Sequence, residues 1–286
     1  MAKAREREKP APEAAVEVPI STASERKQVE ERVAIGPHIV YEAIRREGEE
    51  ELRRPAAALA WSGLAAGLSM GFSFIAEALL QAYLPDQPWR PLLAKAGYSV
   101  GFLIVVLGRQ QLFTESTLTA VLPLLLSKDK DSFIRLVRLW GIVLPANLAG
   151  TFLFAFCVAH IGLFDGHVQQ CLGQIGGNHL GIPFGIVFVR AIFAGWLVAL
   201  MVWLLPGAEQ SRVSVIIIIT YLIGLGAFSH VIAGSTAVFY LVAAKTTSVG
   251  TYLSTFFLPT LLGNIVGGVS LVAALGHGQV LGGKNA

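Results

Sequence analysis

Apolar blocks of membrane length follow one another from residue 56 to residue 275, and polar residues interrupt two of them midway. The block from Pro91 to Ser127 is longer than one straight span, which takes about 20 residues, and shorter than two. Its interruption is LGRQQLFTESTL, Leu107 to Leu118, with KAGYSVGFLIVV (Lys95–Val106) before it and TAVLPLLL (Thr119–Leu126) after it. The pattern predicts one transmembrane helix broken at membrane depth. Irregular backbone is tolerated there only where it is buried in protein or lines a cavity, so the break points to a pathway.

The same plan returns in ITYLIGLGAFSHVIAGSTAVFYLVAA, Ile219 to Ala244. At an offset of about 119, Gln111 falls on His230 and Glu115-Ser116-Thr117 on Gly234-Ser235-Thr236. The spans that follow share N-x-x-G, as Asn147-Leu148-Ala149-Gly150 and Asn264-Ile265-Val266-Gly267. Interrupted spans at matching places in two halves are the sequence sign of a transport site built from repeats.

Six spans are expected, at about Ala56–Tyr83, Pro91–Ser127 (broken), Ile134–Ile161, Ile182–Leu205, Val213–Ala244 (broken) and Tyr252–Leu275. The fold class is therefore an all-α membrane protein. Composition agrees: 54% of residues are hydrophobic, 14% are charged, and the mean hydropathy is +0.62. An even number of spans puts both termini on one side. Lys128, Lys130, Arg135 and Arg138 crowd the second connection and Arg is frequent in the N-terminal tail, whereas Gly162–Gly181 holds no Lys or Arg. The positive-inside rule makes both ends cytoplasmic.

Three regions follow: a charged cytoplasmic tail (1–55), the channel domain (56–280) and a short cytoplasmic C-terminus (281–286). The first 54 residues are too polar to hold a signal peptide. Residues 1–24, rich in Ala, Pro and Glu, read as disordered. From Glu25 to Arg54 opposite charges alternate, predicting helical pieces with i,i+4 pairs around Gly36-Pro37. Such a tail is a solvated arm, a gate or a docking site for a cytoplasmic partner. Cys157 and Cys171 form neither a metal nor a disulfide framework, and no basic cluster suggests nucleic acid. Phosphate-binding, zinc-protease and nucleophile-elbow motifs are all missing, so neither a cofactor, a metal nor an enzymatic activity is expected.

His230 is the leading candidate for chemistry, lying in the second break beside Phe228, Val231 and Ile232. A neutral imidazole offers an N–H donor or a proton relay at the narrowest point of a pore, the alternative being a helix-to-helix hydrogen bond. Leu112, Phe113 and Thr114 lie at the tip of the first break, where bulky apolar groups would exclude hydrated ions and one hydroxyl would meet the solute. Tyr98, Phe102 and Ile223 are candidates for a second constriction or for ordinary packing. Arg109, Glu115, Arg190 and Glu77 are charges inside predicted spans, each costing about 2.5–3.5 kcal/mol to insert alone. The first three are expected to pair and pin the broken helix, and Glu77 to snorkel outward. Asn147 and Asn264 are expected to satisfy freed backbone groups.

With these residues in place the chain resembles the formate/nitrite transporter family, over roughly residues 56–277. LGRQQLFTESTL corresponds to the family's G-x-x-L-F-T-x-x-x-L loop, GAFSHVIAG to G-F-x-H-x-x-A-N and LLGNIVGG to G-N-x-x-G-G. The charged N-terminus and the RQQLFTE wording are most similar to its YfdC-like branch. The resemblance implies an aquaporin-like protomer of six helices with inverted repeats, assembled as a homopentamer in a bacterial inner membrane with one pathway per subunit. It implies passage of small monovalent anions such as formate, nitrite or hydrosulfide, together with a proton. By position His230 takes the central histidine's role and Thr114 that of the loop threonine. Leu112 and Phe113 would form one slit, with Tyr98, Phe102 and Ile223 around the other.

Two departures bear on substrate. The family's lysine before the fourth span falls here at His179, beside Asn178, and no Lys lies between Lys130 and Lys245. The motif's asparagine is Gly234, and the fourth-span asparagine appears as Gly195. A neutral His179 would attract anions little at pH 7 and more in acid. Three readings stay open: a proton-linked channel for weak-acid anions, a neutral-solute channel, and a non-conducting scaffold or sensor working through its tail.

Overall fold

The computed structural model describes Thr22 and residues 35–275. The expectations for residues 1–21, 23–34 and 276–286 lie outside the described residues. Ten helices carry the argument. They are α1 (Pro37–Arg53), α2 (Ala56–Tyr83), α3 (Arg90–Leu107), α4 (Phe113–Ser127), α5 (Lys130–His160), α6 (Gly166–Gly177), α7 (Phe184–Gly207), α8 (Arg212–Leu225), α9 (Val231–Ala243) and α10 (Val249–Leu271). No strand occurs among the described residues.

Five of these, α2, α3, α5, α7 and α10, are long and apolar enough to cross a membrane. The short apolar helices α4 and α9 complete the two broken spans: α3 stops at Leu107 and α4 begins at Phe113, while α8 stops at Leu225 and α9 begins at Val231. Each first half ends in the same way. Arg109 (φ 49°) and Ala227 (φ 50°) take the left-handed conformation. The next amide then reaches five residues back, Gln110 N–H to the Val105 carbonyl and Phe228 N–H to that of Ile223.

These matching turns fix the internal repeat at an offset of 118, so Leu112 corresponds to His230 and Phe113 to Val231. The sequence offset of about 119, which set Gln111 on His230, is one residue too long. Gly/Leu-rich strings slide past one another with little change in pattern, and the hydrogen bonds set the register.

Glycine decides how the long helices meet. A Cβ at Gly67 of α2 would lie 2.1 Å from the Asn147 carbonyl oxygen of α5, and one at Gly195 of α7 would lie 2.3 Å from that of Asn264 in α10. Helices α2 and α5, and in the other half α7 and α10, therefore cross backbone against backbone. This brings Asn147 and Asn264 to the same depth as the two breaks.

Helix α1 is amphipathic. Val40, Tyr41, Ile44, Gly48 and Leu52 are buried at 3–4 spacing, and Pro37 opens the helix at a position that needs no N–H. On the other side Arg45 pairs with Glu42 and Glu49, and Arg46 with Glu42. Tyr41 packs edge-on against Trp203 of α7. Gly48 touches the Thr119 carbonyl of α4 so closely that a Cβ would overlap it.

The connection Gly162–Gly181 is more than a loop. Asp165 accepts from the Val168 N–H and starts α6, which buries Val168, Cys171, Leu172 and Ile175 against α2 and α9.

Candidate substrate pathway

The two breaks are held by one asparagine each, with the same three hydrogen bonds. Asn147 Oδ1 accepts from the Phe113 N–H (2.9 Å), and its Nδ2 donates to the carbonyls of Gly63 (2.7 Å) and Gln111 (2.9 Å). Asn264 Oδ1 accepts from the Val231 N–H (2.8 Å), and its Nδ2 donates to those of Ala191 (2.8 Å) and Ser229 (2.9 Å). A carboxamide suits this place because it is both acceptor and double donor. Both side chains are fully buried.

So held, the N-termini of α4 and α9 converge. Thr114 Oγ1 lies 2.8 Å from His230 Nε2, and both residues are buried. The other ring nitrogen is committed: His230 Nδ1 accepts from the Ala233 N–H at 3.1 Å, capping α9. A neutral imidazole with Nδ1 as acceptor carries its hydrogen on Nε2. His230 therefore donates to the Thr114 hydroxyl, whose own hydrogen is free to be directed onward. Both helix N-termini place their positive dipole ends near this pair.

Aromatic and aliphatic groups enclose it. Phe102 stacks edge-on to the His230 ring with centroids 5.0 Å apart, and Tyr98 follows at 5.4 Å from Phe102. Leu112, Phe102 and Ile223 are buried. Phe113 is buried too, with its ring against Trp140 of α5 at 5.5 Å.

A cavity opens on either side of this plug. The first, about 350 Å³, is lined on the α6 side by Glu77, Lys95, Tyr98, His179, Arg190 and Ile223, and reaches Ser229 and Ala233 on either side of His230. The second, about 590 Å³, is lined on the α1 side by Glu47, Glu51, Arg109, Gln110, Gln111 and Glu115, among others. Residues Leu112 to Thr114 and His230 line neither and form the barrier between them.

The charged residues distribute accordingly. Arg109 is exposed and pairs with Glu47 of α1 at 3.0 Å, while Glu115 and Arg190 stand in opposite cavities. Glu77 does not snorkel: it is 3% exposed and accepts from Lys95 Nζ at 2.5 Å. His179 packs edge-on to Phe256 (5.2 Å). Burial, with Lys95 and Arg190 nearby, lowers its pKa to about 4.

Sequence reasoning missed Lys95 and Glu51. Lys95 was legible only as a charge at the head of a span. Glu51 was one acid among many in a charged tail, and nothing local marks it as the one that accepts from Gln111 Nε2 (3.0 Å) and Thr119 Oγ1 (2.6 Å).

Two breaks, two asparagines and one buried Thr–His pair agree with the motif resemblance, and comparison with known proteins decides it. Residues 38–278 match the formate/nitrite transporter family. The chain belongs to that family. The family is one of transporters, not enzymes. The inner membrane protein YfdC of Escherichia coli (strain K12) is 41% identical over 88% of this chain and 81% of its own length. The formate channel BtFdhC of Bacillus thuringiensis is 25% identical over 82% of this chain and 92% of its own. Among solved structures, a pentameric formate channel with formate bound superimposes with a TM-score of 0.63 at 24% identity, covering 80% of this chain and 96% of that one. An FNT family ion channel gives 0.72 at 18% identity, covering 86% and 98%. Both establish the six-span fold with its two broken helices.

Close packing gives the two glycine departures a physical reason. At Gly195 the Asn264 backbone leaves no room for a side chain, and at Gly234 a Cβ would lie 2.3 Å from the Phe256 ring. Phe256 thus fills the space beside Gly234 and reaches His179.

Proposed function

We propose that this protein is a channel for small monovalent anions of weak acids, the formate, nitrite and hydrosulfide class, which cross its barrier as their conjugate acids. The observation that carries the reading is the Thr114–His230 pair, buried between two polar cavities where two half-helices meet. An anion entering from the α6 side meets Lys95 and Arg190. At the barrier it accepts a hydrogen bond from Thr114, whose hydroxyl is held by His230 Nε2–H. Leu112 and Phe113 on one side and Tyr98, Phe102 and Ile223 on the other form the apolar constrictions. An ion would lose its hydration there without replacement, so the neutral species passes. For an acid of pKa about 4, that species is about a thousandth of the total at pH 7, so a proton shared at the barrier raises flux. Arg109, Glu115, Arg190, Asn147 and Asn264 act through the frame or the vestibules. His179, neutral above about pH 4, shapes its vestibule without charging it.

The assembly read here is a homopentamer in a bacterial inner membrane, as in the pentameric relative and the inner-membrane one. The apolar faces of α5 and α7, including Phe152, Phe156, Phe193 and Trp196, are exposed and suit lipid or neighbouring subunits. Both termini are placed in the cytoplasm, supported by Lys128, Lys130, Arg135 and Arg138 at the α1 end and by the connection around α6, which lacks Lys and Arg.

The test is pH-jump uptake of formate, nitrite and hydrosulfide into proteoliposomes, comparing wild type with His230→Ala and Thr114→Val. Uptake should rise in acid and collapse in both variants. Unchanged uptake and pH dependence in His230→Ala would overturn the role of the pair. Uptake that follows a neutral isostere such as formamide equally well would favour a neutral-solute channel.

A further inference from the structure

The internal repeat leaves donors without acceptors in the α6-side cavity. Gly63 of α2 and Ala191 of α7 each accept from the asparagine that holds the neighbouring break, and a Cβ at Gly67 or Gly195 would meet that asparagine's carbonyl oxygen. Ser62 and Arg190, one residue before each acceptor, are therefore equivalent positions. Gln111 and Ser229 are equivalent too, since their carbonyls take the other hydrogen of the same carboxamides. In the first half the Ser62 hydroxyl accepts from the Gln111 N–H at 3.0 Å. In the second half Arg190 stands where that hydroxyl would be, and a guanidinium has no acceptor to offer. Among the described residues the Ser229 N–H meets no acceptor, although Ser229 is only 4% exposed. A buried backbone N–H left open costs about 1–3 kcal/mol.

Arg190 itself is in the same condition. Its side chain makes no ion pair or hydrogen bond among the described residues, and it lines the same cavity as Ser229, whose hydroxyl is also without a partner. Lys95, the other cation in this wall, is held by Glu77, and His179 is neutral above about pH 4. Arg190 is half-buried within α7, where an unpaired charge costs about 2.5–3.5 kcal/mol. Asn264 Nδ2 bonds the carbonyls of Ala191 and Ser229 at once, so Arg190 and Ser229 stand side by side, one residue from His230. Ile223, Phe228 and Ala233 of the surrounding wall are apolar.

An occupant that satisfies this set brings acceptors and negative charge. A guanidinium presents paired N–H groups that match the two oxygens of a planar anion. Hydrosulfide has one acceptor atom and takes one such contact. We propose that Arg190, with the N–H and hydroxyl of Ser229, forms a seat for a planar two-oxygen anion, formate or nitrite, and selects it over hydrosulfide. The inference rests on the weak-acid channel reading and narrows its substrate class. The seat lies on the α6 side of the barrier, from which the anion passes to the Thr114–His230 pair.

The experiment measures labelled formate uptake into proteoliposomes of the full-length protein at pH 7.5, with unlabelled nitrite and hydrosulfide as competitors. Nitrite should inhibit wild type at about the half-saturating concentration of formate, and hydrosulfide only at concentrations about fivefold higher or more. Arg190→Lys keeps the charge and removes the fork. Its half-saturating formate concentration should rise about fivefold or more at a maximal rate within about twofold of wild type, and the two competitors should then inhibit equally. Arg190→Ser copies the first half of the repeat and supplies the acceptor that the Ser229 N–H lacks, so it keeps the fold. It should lose the same preference and raise half-saturation by about tenfold or more. Equal inhibition by both competitors in wild type, or an unaltered preference and half-saturation in Arg190→Lys, would overturn the inference while leaving the channel intact. Absence of uptake by wild type would sink the channel reading, and saturation-transfer NMR on solubilised protein then decides the seat alone. Formate should give a signal that nitrite displaces and that both Arg190 variants weaken by about fivefold or more. No formate signal with wild type would end the proposal.

Discussion

At the scale of single residues, two asparagines and one histidine do work that no other side chain of similar size could do. Each asparagine closes three hydrogen bonds to backbone groups that the helix breaks leave open. Asn147→Ala or Asn264→Ala would strand an N–H and two carbonyls where water does not reach. At about 1–3 kcal/mol for each buried group left open, each substitution should cost about 3 kcal/mol or more. Thermal unfolding of the solubilised protein checks this, and the two variants should lose comparable stability because the two sites are geometric copies. His179 carries a pH statement. Its pKa in the folded protein is lowered to about 4, first by burial and then by Lys95 and Arg190. The folded state therefore binds fewer protons than the unfolded one between pH 6.5 and 4. The stability tied to His179 is present above pH 6.5 and is lost as pH falls through that window. His179→Gln should remove this part of the acid dependence of the melting temperature. It should leave the pH profile of uptake between pH 5 and 8 unchanged, because a neutral side chain replaces one already neutral.

At the scale of elements, the breaks were legible because polar residues interrupt apolar runs, and the spans because membrane helices are long and nearly unbroken in hydropathy. Register was less legible. Leu112 and His230 occupy equivalent positions, yet nothing in their chemistry says so; the paired backbone turns at Arg109 and Ala227 and the matching asparagine hydrogen bonds show it. Helix α6 was read as a connection because its glycines lower its helix propensity. Its Asp165 cap and its burial against α2 and α9 override that. The ion pair Lys95–Glu77 was illegible for a different reason: its partners lie on separate helices, and sequence periodicity says which face a residue shares but not which helix it meets. The close crossings make a sharp prediction. Gly67→Ala and Gly195→Ala each force a Cβ to within about 2.3 Å of a carbonyl oxygen. The helix pairs must then separate, which moves Asn147 or Asn264 away from the break it holds. Both variants should lose stability and uptake together. Gly173→Ala, whose Cβ would meet nothing within 4 Å, should leave both unchanged and serves as the control.

At the scale of the whole molecule, the barrier is nearly symmetric and the two mouths are not. Inverted repeats place equivalent asparagines and half-helix ends on both sides of the Thr114–His230 pair, so the chemistry of crossing has no built-in direction. Direction enters through charges in which the two halves differ. Helix α6 precedes α7 as α1 precedes α2, but it is α1 that brings carboxyl groups, Glu47, Glu50 and Glu51, to its mouth. Lys95 and Arg190 stand at the other. Lys95 is the informative position there, because Glu77 holds it in the wall of the cavity. Lys95→Ala leaves Glu77 buried without its partner, and the mouth loses a positive charge. Uptake of anions from that side should fall by about threefold to tenfold at low ionic strength. Lys95→Arg should keep most of the rate, and Glu77→Gln should raise it, because the cation then faces the cavity uncompensated. All three differences should shrink as salt is raised from 10 to 500 mM, the range over which the Debye length falls from about 30 Å to below 8 Å. An effect of Lys95→Ala that persists undiminished in high salt would mean that the residue acts through packing of α3 on α2. The asymmetry between the mouths would then belong to α1 alone.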